Sequence, residues 1–305
     1  MSEREIARAV ADGELRRLQR NRFVAESVWS DLWPESRHLV ELSAAAAEMR
    51  AGGGVAAYES AGVLHALPFY RHIPDAVHFT LPSSRGMPSR PGLRRHRDRL
   101  PDDHIDVLFG IRCTSLERTV FDLVRTLSPE AAIAAADAAL RQVAMRKDGY
   151  DEAAAEAWRE RMIELCGRSR GMRGIRQAEA AIRFVDGRSE SPGESVSRLQ
   201  LSRLGFRRLM LQVAVPGPSG KDYSVDIEIE DVRTFFEFDG KGKYLDEAMR
   251  SGRTLEQVLL DEKRREDWIR GGTQKRLVRA ESAHIVTPEA LAQRLSAFAV
   301  RPPRR

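Results

Sequence analysis

The run VDIEIEDVRTFFEFDG, residues 225–240, limits the fold of this chain more than any other stretch. Val225, Ile227 and Ile229 alternate with Asp226, Glu228 and Glu230, and Phe236 and Phe238 alternate with Glu237 and Asp239. A period of two marks strands with one apolar and one polar face. The connection at Val232 and Arg233 is short, so a hairpin sets the two acidic faces side by side, with opposed residues about 5 Å apart. Like charges at that spacing repel, and they need solvent, a cation or protonation. Lys241 and Lys243 follow, and Lys241 falls on the same face as Glu237 and Asp239 if the strand continues past Gly240. Two readings fit. One is an edge hairpin charged on its outer face for solubility. The other is a set of carboxylates holding Mg²⁺, with a lysine that stabilises charge on a scissile phosphate or orients a water.

The surroundings of the hairpin read as one unit. SPGESVSRLQLSRLG (191–205) is a capped helix, RRLMLQVAVPG (207–217) a strand, and TLEQVLLDEKRREDWIRGG (254–272) a helix closed by its glycines. KRLVRAES is a short strand, and TPEALAQRLSAF (287–298) is a helix opened by Thr287 and Pro288. The order is therefore helix, three strands, helix, strand, helix. Glu262, Arg265 and Asp267 lie on the long helix, either as a charge-laced surface or as support for the acidic strands.

The first half has a different texture. Residues 3–20 favour a helix, and DGELRRLQRNRFVAESVW (12–29) reads as helix, tight turn and short strand, the tail of a winged helix-turn-helix. An alanine-rich helix (36–51) ends at the glycines 52–54, which are no phosphate loop because no Gly-Lys-Ser follows. A second helix runs from Val55 toward Pro68, and AVHFTLP (76–82) is a strand. HIDVLFGIRCTS is a strand pair around Gly110, Thr114 with Glu117 opens a capping-box helix to Leu127, and Ser128 with Pro129 opens another. Residues 146–190, broken by Gly167, Gly171 and Gly174, read as a connecting helix and an exposed joint.

Charge is concentrated. Residues 85–99, RGMPSRPGLRRHRDR, hold Arg85, Arg90, Arg94, Arg95, Arg97 and Arg99 against Asp98 alone, a local +5 that equals the net charge of the whole chain. Two prolines and two glycines make it a loop, either a solvated surface or an arm that grips phosphates. Two cysteines, Cys113 and Cys166, exclude a disulfide framework and a four-cysteine zinc site, and fit a reducing cytoplasm. Neither has a histidine partner that would make it a nucleophile. No apolar run reaches a membrane span, and the N-terminus lacks a signal-peptide core, so no membrane partner is expected. His65, His72, His78 and His96 lack metal-ligand spacing, and His65 reads as a hydrogen-bonded structural residue. The sequence carries no signal for an oligomeric state.

The pattern SPGES, VDI, FEFDGKGKY, DEKRREDWIRGG and KRLVR resembles the very-short-patch-repair-like branch of the PD-(D/E)XK nuclease superfamily, over about residues 190–298. The resemblance implies a restriction-endonuclease-like mixed sheet flanked by helices, DNA as partner and Mg²⁺ as cofactor. It implies that Glu194 is the helix acid, Asp226 the strand aspartate and Glu237 the third carboxylate, these three holding the metal. Gln212 takes the place of a frequent polar residue on the first strand. The family's lysine position holds Asp239, and Lys241 or Lys243 would substitute for it from the turn. The first half, through GGGVAAYESAGVLHALPF, VHFTLP, RRHRDRLP and GIRCTSLERTVFDLVRTL, resembles AbiEi-like antitoxins and regulators, which implies transcriptional control and a cognate toxin protein as partner.

The expectation is an α+β, cytoplasmic protein in four parts: a truncated winged-helix remnant (1–35), an αβ antitoxin- or regulator-like domain (36–145), a helical linker (146–190) and a nuclease-like domain (191–300). Its expected function is DNA-directed, as a Mg²⁺-dependent endonuclease in which Glu194, Asp226, Glu237, Asp239 and Lys241 act, or as a non-catalytic DNA-binding antitoxin or regulator on a degenerate nuclease fold. The arginines at 85, 90, 94, 95, 97 and 99 are the expected phosphate contacts.

Overall fold

Glycine and other left-handed residues decide where the first elements stop. The computed structural model describes residues 1–49, 54–81, 88–218, 220–240 and 254–303. Helix α1 (Glu3–Ala11) starts at a Ser2/Glu5 capping box and ends before Gly13, whose φ of 76° is outside the helical range. The sequence reading extends a helix to residue 20, but β1 (Leu15–Gln19) and β2 (Arg22–Ala25) form an antiparallel hairpin instead. Asn21 turns it at φ 56°, a conformation asparagine tolerates. Helix α2 (Glu26–Asp31) follows.

The protein is α+β, with eleven α-helices and mixed sheets among the described residues. It divides into two units, residues 1–139 with 157–184, and 140–156 with 185–305.

In the first unit, α3 (Pro34–Met49) packs Leu42, Ala45 and Ala46 on a sheet made of β3 (Val55–Ala56), β4 (Val77–Leu81), β5 (Leu93–Arg97), β6 (Ile105–Leu108) and β7 (Ile111–Thr114). The strand order is β5-β4-β3-β7-β6. Val77, Phe79, Leu81 and Leu93 complete that core, and all are at most 1% exposed. Helix α4 (Tyr58–Leu64) is shorter than the sequence suggests, because Ala66 adopts φ 55° just beyond it. The expected arginine loop is in part a strand: β5 runs parallel to β4, with Arg94 opposite His78 and His96 opposite Thr80. Helix α5 (Leu116–Thr126) is capped by Ser115, one residue later than expected, and α6 spans Pro129–Ala144.

The expected exposed joint is also built structure. Helices α7 (Glu152–Arg168) and α8 (Ile175–Phe184) bury Trp158, Met162, Cys166, Ala178 and Ile182. Gln177 Nε2 donates to the carbonyls of Val124 (2.9 Å) and Leu127 (2.8 Å), and so closes the C-terminal end of α5. Gly174 comes so close to α5 that a Cβ there would lie 2.2 Å from the Arg125 carbonyl oxygen. Glycine is therefore a packing requirement here rather than a breaker.

In the second unit, a small hairpin of β8 (Met145–Arg146) and β9 (Gly149–Tyr150) precedes α9 (Pro192–Arg203). The main sheet has the order β10 (Leu209–Pro216), β11 (Asp222–Ile229), β12 (Thr234–Asp239), β13 (Arg276–Glu281). The first three strands are antiparallel, and β13 joins β12 in parallel after α10 (Leu255–Thr273). Val215, Val225, Phe235 and Leu277 pack on Ile269 of α10. Helix α11 (Pro288–Ser296) is tied to α9 by Gln200, whose amide donates to the Ile285 carbonyl at 3.2 Å. Two boundaries differ from expectation. Glu230 leaves the strand for a single 3-10 turn (Glu230–Val232) that ends at a left-handed Arg233, and α10 runs through Gly271 and Gly272 to a left-handed Gln274.

Candidate functional site

Ser191 caps α9, its Oγ accepting from the Glu194 N–H at 3.2 Å, and Pro192 opens the first turn. Gly193 then lies against Phe238 of β12, where a Cβ would fall 2.0 Å from the ring. No larger residue lets the helix start this close to the sheet. The contact brings Glu194, 7% exposed, to the strand ends. Its Oε2 accepts from the Glu190 N–H (2.8 Å) and Gln212 Nε2 (3.0 Å), and its Oε1 from the Ser191 hydroxyl (2.8 Å). Burial pushes the Glu194 carboxyl upward, against these hydrogen bonds to its charged form.

Gln212 is bent for this role. The β10–β11 ladder pairs Leu211 with Ile227 and then Val213 with Val225, leaving Gln212 and Asp226 out. Gln212 has φ 49°, a left-handed conformation that costs a non-glycine residue about 1–3 kcal/mol. The Gln212 amide joins two groups, donating to Glu194 and accepting from Ser224 Oγ at 2.6 Å. Asp226 sits one step beyond the last β11–β12 pair, Ile227 with Phe236, and its Oδ2 accepts from the Phe238 N–H at 2.8 Å. That register sets it across from Glu237.

Glu237 is 2% exposed and neutralised on both oxygens. Arg265 Nη2 of α10 donates to Oε1 at 2.6 Å, and Arg279 Nη2 of β13 lies 3.2 Å from Oε2. The parallel register explains the second contact, because Arg279 is the direct partner of Glu237 across β12–β13. The lattice extends further. Glu262 accepts from both Arg265 and Arg279, Glu266 lies 3.5 Å from Arg279 Nε, and Asp239 lies 3.8 Å from Arg279 Nη1. Arg265 also donates to the Ser224 carbonyl. A continuous polar chain thus runs Glu194, Gln212, Ser224, Arg265, Glu237, Arg279. Glu228 is set apart, paired with Lys275 over the Phe235 ring.

Glu194, Glu237 and Asp239 thus share one network, in which Arg279 serves more than one acid, while Asp226 is held by the Phe238 N–H. Among the described residues no group of three or more His, Cys, Asp or Glu side chains is gathered to hold a metal ion. Carboxylate oxygens are the right chemistry for Mg²⁺, but the donor set does not fit as it stands. Both oxygens of Glu237 and of Glu194 are engaged, and two guanidinium groups occupy the space where a cation would meet Glu237. Lys241 lies outside the described residues.

The expected phosphate-gripping arginines divide. Arg90 donates to Gln19 (2.5 Å) and Glu48 (2.7 Å), Arg94 to Asp75 (2.7 Å), and Arg95 to the Pro88 carbonyl. Arg97 and Arg99 are exposed, and Arg85 lies outside the described residues. His65 Nε2 meets the Thr114 carbonyl at 2.8 Å, the structural role expected of it. Burial pushes the Cys113 and Cys166 thiols up to about 11, so neither is an activated nucleophile.

Sequence reasoning missed Arg279, which lies 42 positions after Glu237. The signal was the alternation in KRLVRAE, which puts Arg279 on one face of a strand; only the parallel pairing shows that this face meets the acids.

No family model matches the chain. It is similar to two proteins of Mycobacterium tuberculosis, uncharacterized protein MT2308 (strain CDC 1551 / Oshkosh) and uncharacterized protein Rv2248 (strain ATCC 25618 / H37Rv). Each is 29% identical over 203 residues, which cover 63% of this chain and 69% of the relative. No helix among the described residues is long and apolar enough to cross a membrane.

Proposed function

We propose that this protein binds DNA without cutting it, and that its second unit is a nuclease-like fold whose acidic residues have become a structural lattice. The observation that carries this reading over a Mg²⁺-dependent endonuclease is the double arginine lock on Glu237. A carboxylate held by two guanidinium groups in a buried setting gives up its partners only at a cost of several kcal/mol. The presence of Asp239 where the resemblance calls for a lysine points the same way, since it adds negative charge where a developing phosphate charge would need a cation. The order helix, three antiparallel strands, helix, parallel strand, helix supports the resemblance to the very-short-patch-repair-like branch.

DNA contact falls to the first unit in this reading. Arg97 and Arg99 are exposed at and beyond β5, and Arg17, Arg20 and Arg22 are exposed on the β1–β2 hairpin. Such groups bind phosphates without reading sequence. The role this suits is that of an antitoxin-like regulator.

The test combines two measurements on the full chain. Plasmid DNA is incubated with Mg²⁺ or Mn²⁺ against EDTA, for wild type and Asp226→Asn, and duplex affinity is followed from low to moderate salt. Salt-sensitive binding with no nicking is expected. Metal-dependent nicking that disappears in Asp226→Asn restores the endonuclease. Loss of salt-dependent binding altogether removes DNA as the partner and leaves recognition of another protein, such as a toxin.

A further inference from the structure

The first unit contains a polar cavity of about 430 Å³, on the side of β4 and β5 that carries His78, Arg94 and His96. Glu59 and Tyr58 of α4 and His72 of the α4–β4 connection complete its reactive lining. Glu59 is 8% exposed and His78 4%. Glu59 Oε2 lies 3.3 Å from His78 Nδ1, Glu59 Oε1 lies 3.4 Å from His72 Nε2, and His78 Nδ1 lies 3.1 Å from His96 Nε2.

The proton inventory does not close. His78 Nδ1 is one atom, with either one lone pair or one N–H, yet it has two neighbours. Whether it accepts from His96 or donates to it, that one position is spent on His96 and none is left for the Glu59 oxygen. Glu59 Oε2, His78 Nε2 and His72 Nε2 are all buried and without a hydrogen-bond partner. A buried carboxylate oxygen facing ring nitrogens with no proton in line is costly unless something supplies positive charge. Arg94, the cation at the rim, is held by Asp75 at 2.7 Å. The backbone is also strained here: Tyr58 has φ 53°, an outlier for a bulky residue, and its ring stacks on His96 with centroids 4.1 Å apart.

A missing cation that meets one carboxylate and several imidazole nitrogens is a transition-metal ion rather than an ammonium group, because neutral imidazole offers a lone pair and suits zinc and its neighbours. The spacing agrees. Metal–ligand bonds of about 2.0–2.1 Å in a tetrahedron put neighbouring donor atoms roughly 3.3 Å apart. We propose that Glu59, His78 and His96, with His72 at the open side, form a binding site for a divalent ion of the zinc class. Among the described residues no three such side chains already share one shell, so loading draws His96 or His72 inward from these pairwise contacts. The site is separate from the acidic network of the second unit and stands or falls independently of the DNA reading.

The probe is the metal alone, added to metal-stripped full-length protein. Co²⁺ is expected to give the visible absorption of a low-symmetry, four- or five-coordinate site with near-stoichiometric saturation. Zn²⁺ is expected to compete it away and raise the melting temperature, and Mg²⁺ in excess to do neither. Glu59→Gln and His78→Gln are expected to weaken Co²⁺ binding at least tenfold. His72→Gln, at a side chain about one third exposed, removes a donor with little risk to folding and is expected to weaken binding severalfold. His284→Gln, in the second unit, leaves binding unchanged. Absence of the Co²⁺ band, displacement by Mg²⁺, or full-strength binding in both Glu59→Gln and His72→Gln overturns the site.

Discussion

The two units each bury carboxylates, and they treat them in opposite ways. In the second unit Glu237, Glu262, Glu266 and Asp239 surround Arg265 and Arg279, and each acid finds a guanidinium. In the first unit Glu59 is buried beside the imidazoles of His72 and His78, with His96 next to His78, and one Glu59 oxygen has no hydrogen-bond donor. Two of the acids that look catalytic by sequence pattern, Glu237 and Asp239, are matched by guanidinium groups. The one that carries no motif is electrostatically incomplete. Charge that is fully matched holds a fold together, whereas a charge left wanting points to a ligand.

The sharpest way to break this contrast is to remove the matched acid. Glu237→Ala leaves two half-buried arginines short of a partner and is expected to cost about 3 kcal/mol in chemical denaturation. A loss near zero would mean that the lattice is not structural and that Glu237 is available for other work. Gly193→Ala, which forces α9 away from Phe238, is expected to cost about 2 kcal/mol and to weaken the Glu194–Gln212 contact.

Acid probes the first unit. Burial lowers the His38 imidazole to about 4, below its unfolded value. Its neutral form is therefore the one the fold favours, and the unfolded chain binds the proton first. The stabilisation is complete above about pH 6.5 and shrinks as pH falls through the interval down to about 4, by about 2 kcal/mol at pH 5. Denaturation of metal-free protein across that interval is expected to show the loss in wild type and a shallower slope in His38→Gln, which keeps a partner for the Ser60 hydroxyl. The smallest effect on stability belongs to the exposed arginines. Arg97→Ala with Arg99→Ala is expected to change stability by less than about 0.5 kcal/mol. The same pair of changes is expected to reduce the salt slope of DNA binding by up to about 2.

The sequence made the second unit legible because its signals are local. Alternation at 225–239, the Ser191–Pro192 start and the Thr287–Pro288 start each depend on a few adjacent residues, and each appears near its expected place. The first unit was harder to read. Glycines at 171 and 174 look like breakers, yet Gly174 is a close-packing site. The prolines and glycines of 85–99 hide β5, whose strand character comes from its parallel partner rather than from its own residues. The histidines at 72, 78 and 96 have no ligand spacing along the chain. Parallel pairing of β4 with β5 makes His78 and His96 neighbours and the α4–β4 connection brings His72 to Glu59, and no local pattern encodes that. The acids at 194, 226 and 237 were found from motif; their partners Arg265 and Arg279 became clear only from the helix crossing and the parallel register.

The parallel edge strand has a consequence for the order of assembly. β10, β11 and β12 are joined by short turns and pair with sequence neighbours, whereas β13 reaches β12 only after a crossover that includes α10. Contacts that close longer loops form later. A nascent chain emerging from the ribosome therefore completes its meander while Glu237 is still wet, and the C-terminal strand delivers Arg279 as one of the last pieces. Premature termination before residue 276 would leave Glu237 with Arg265 as its one guanidinium partner and an open ladder beside it, a species exposed to edge-to-edge pairing with other chains rather than a smaller working domain.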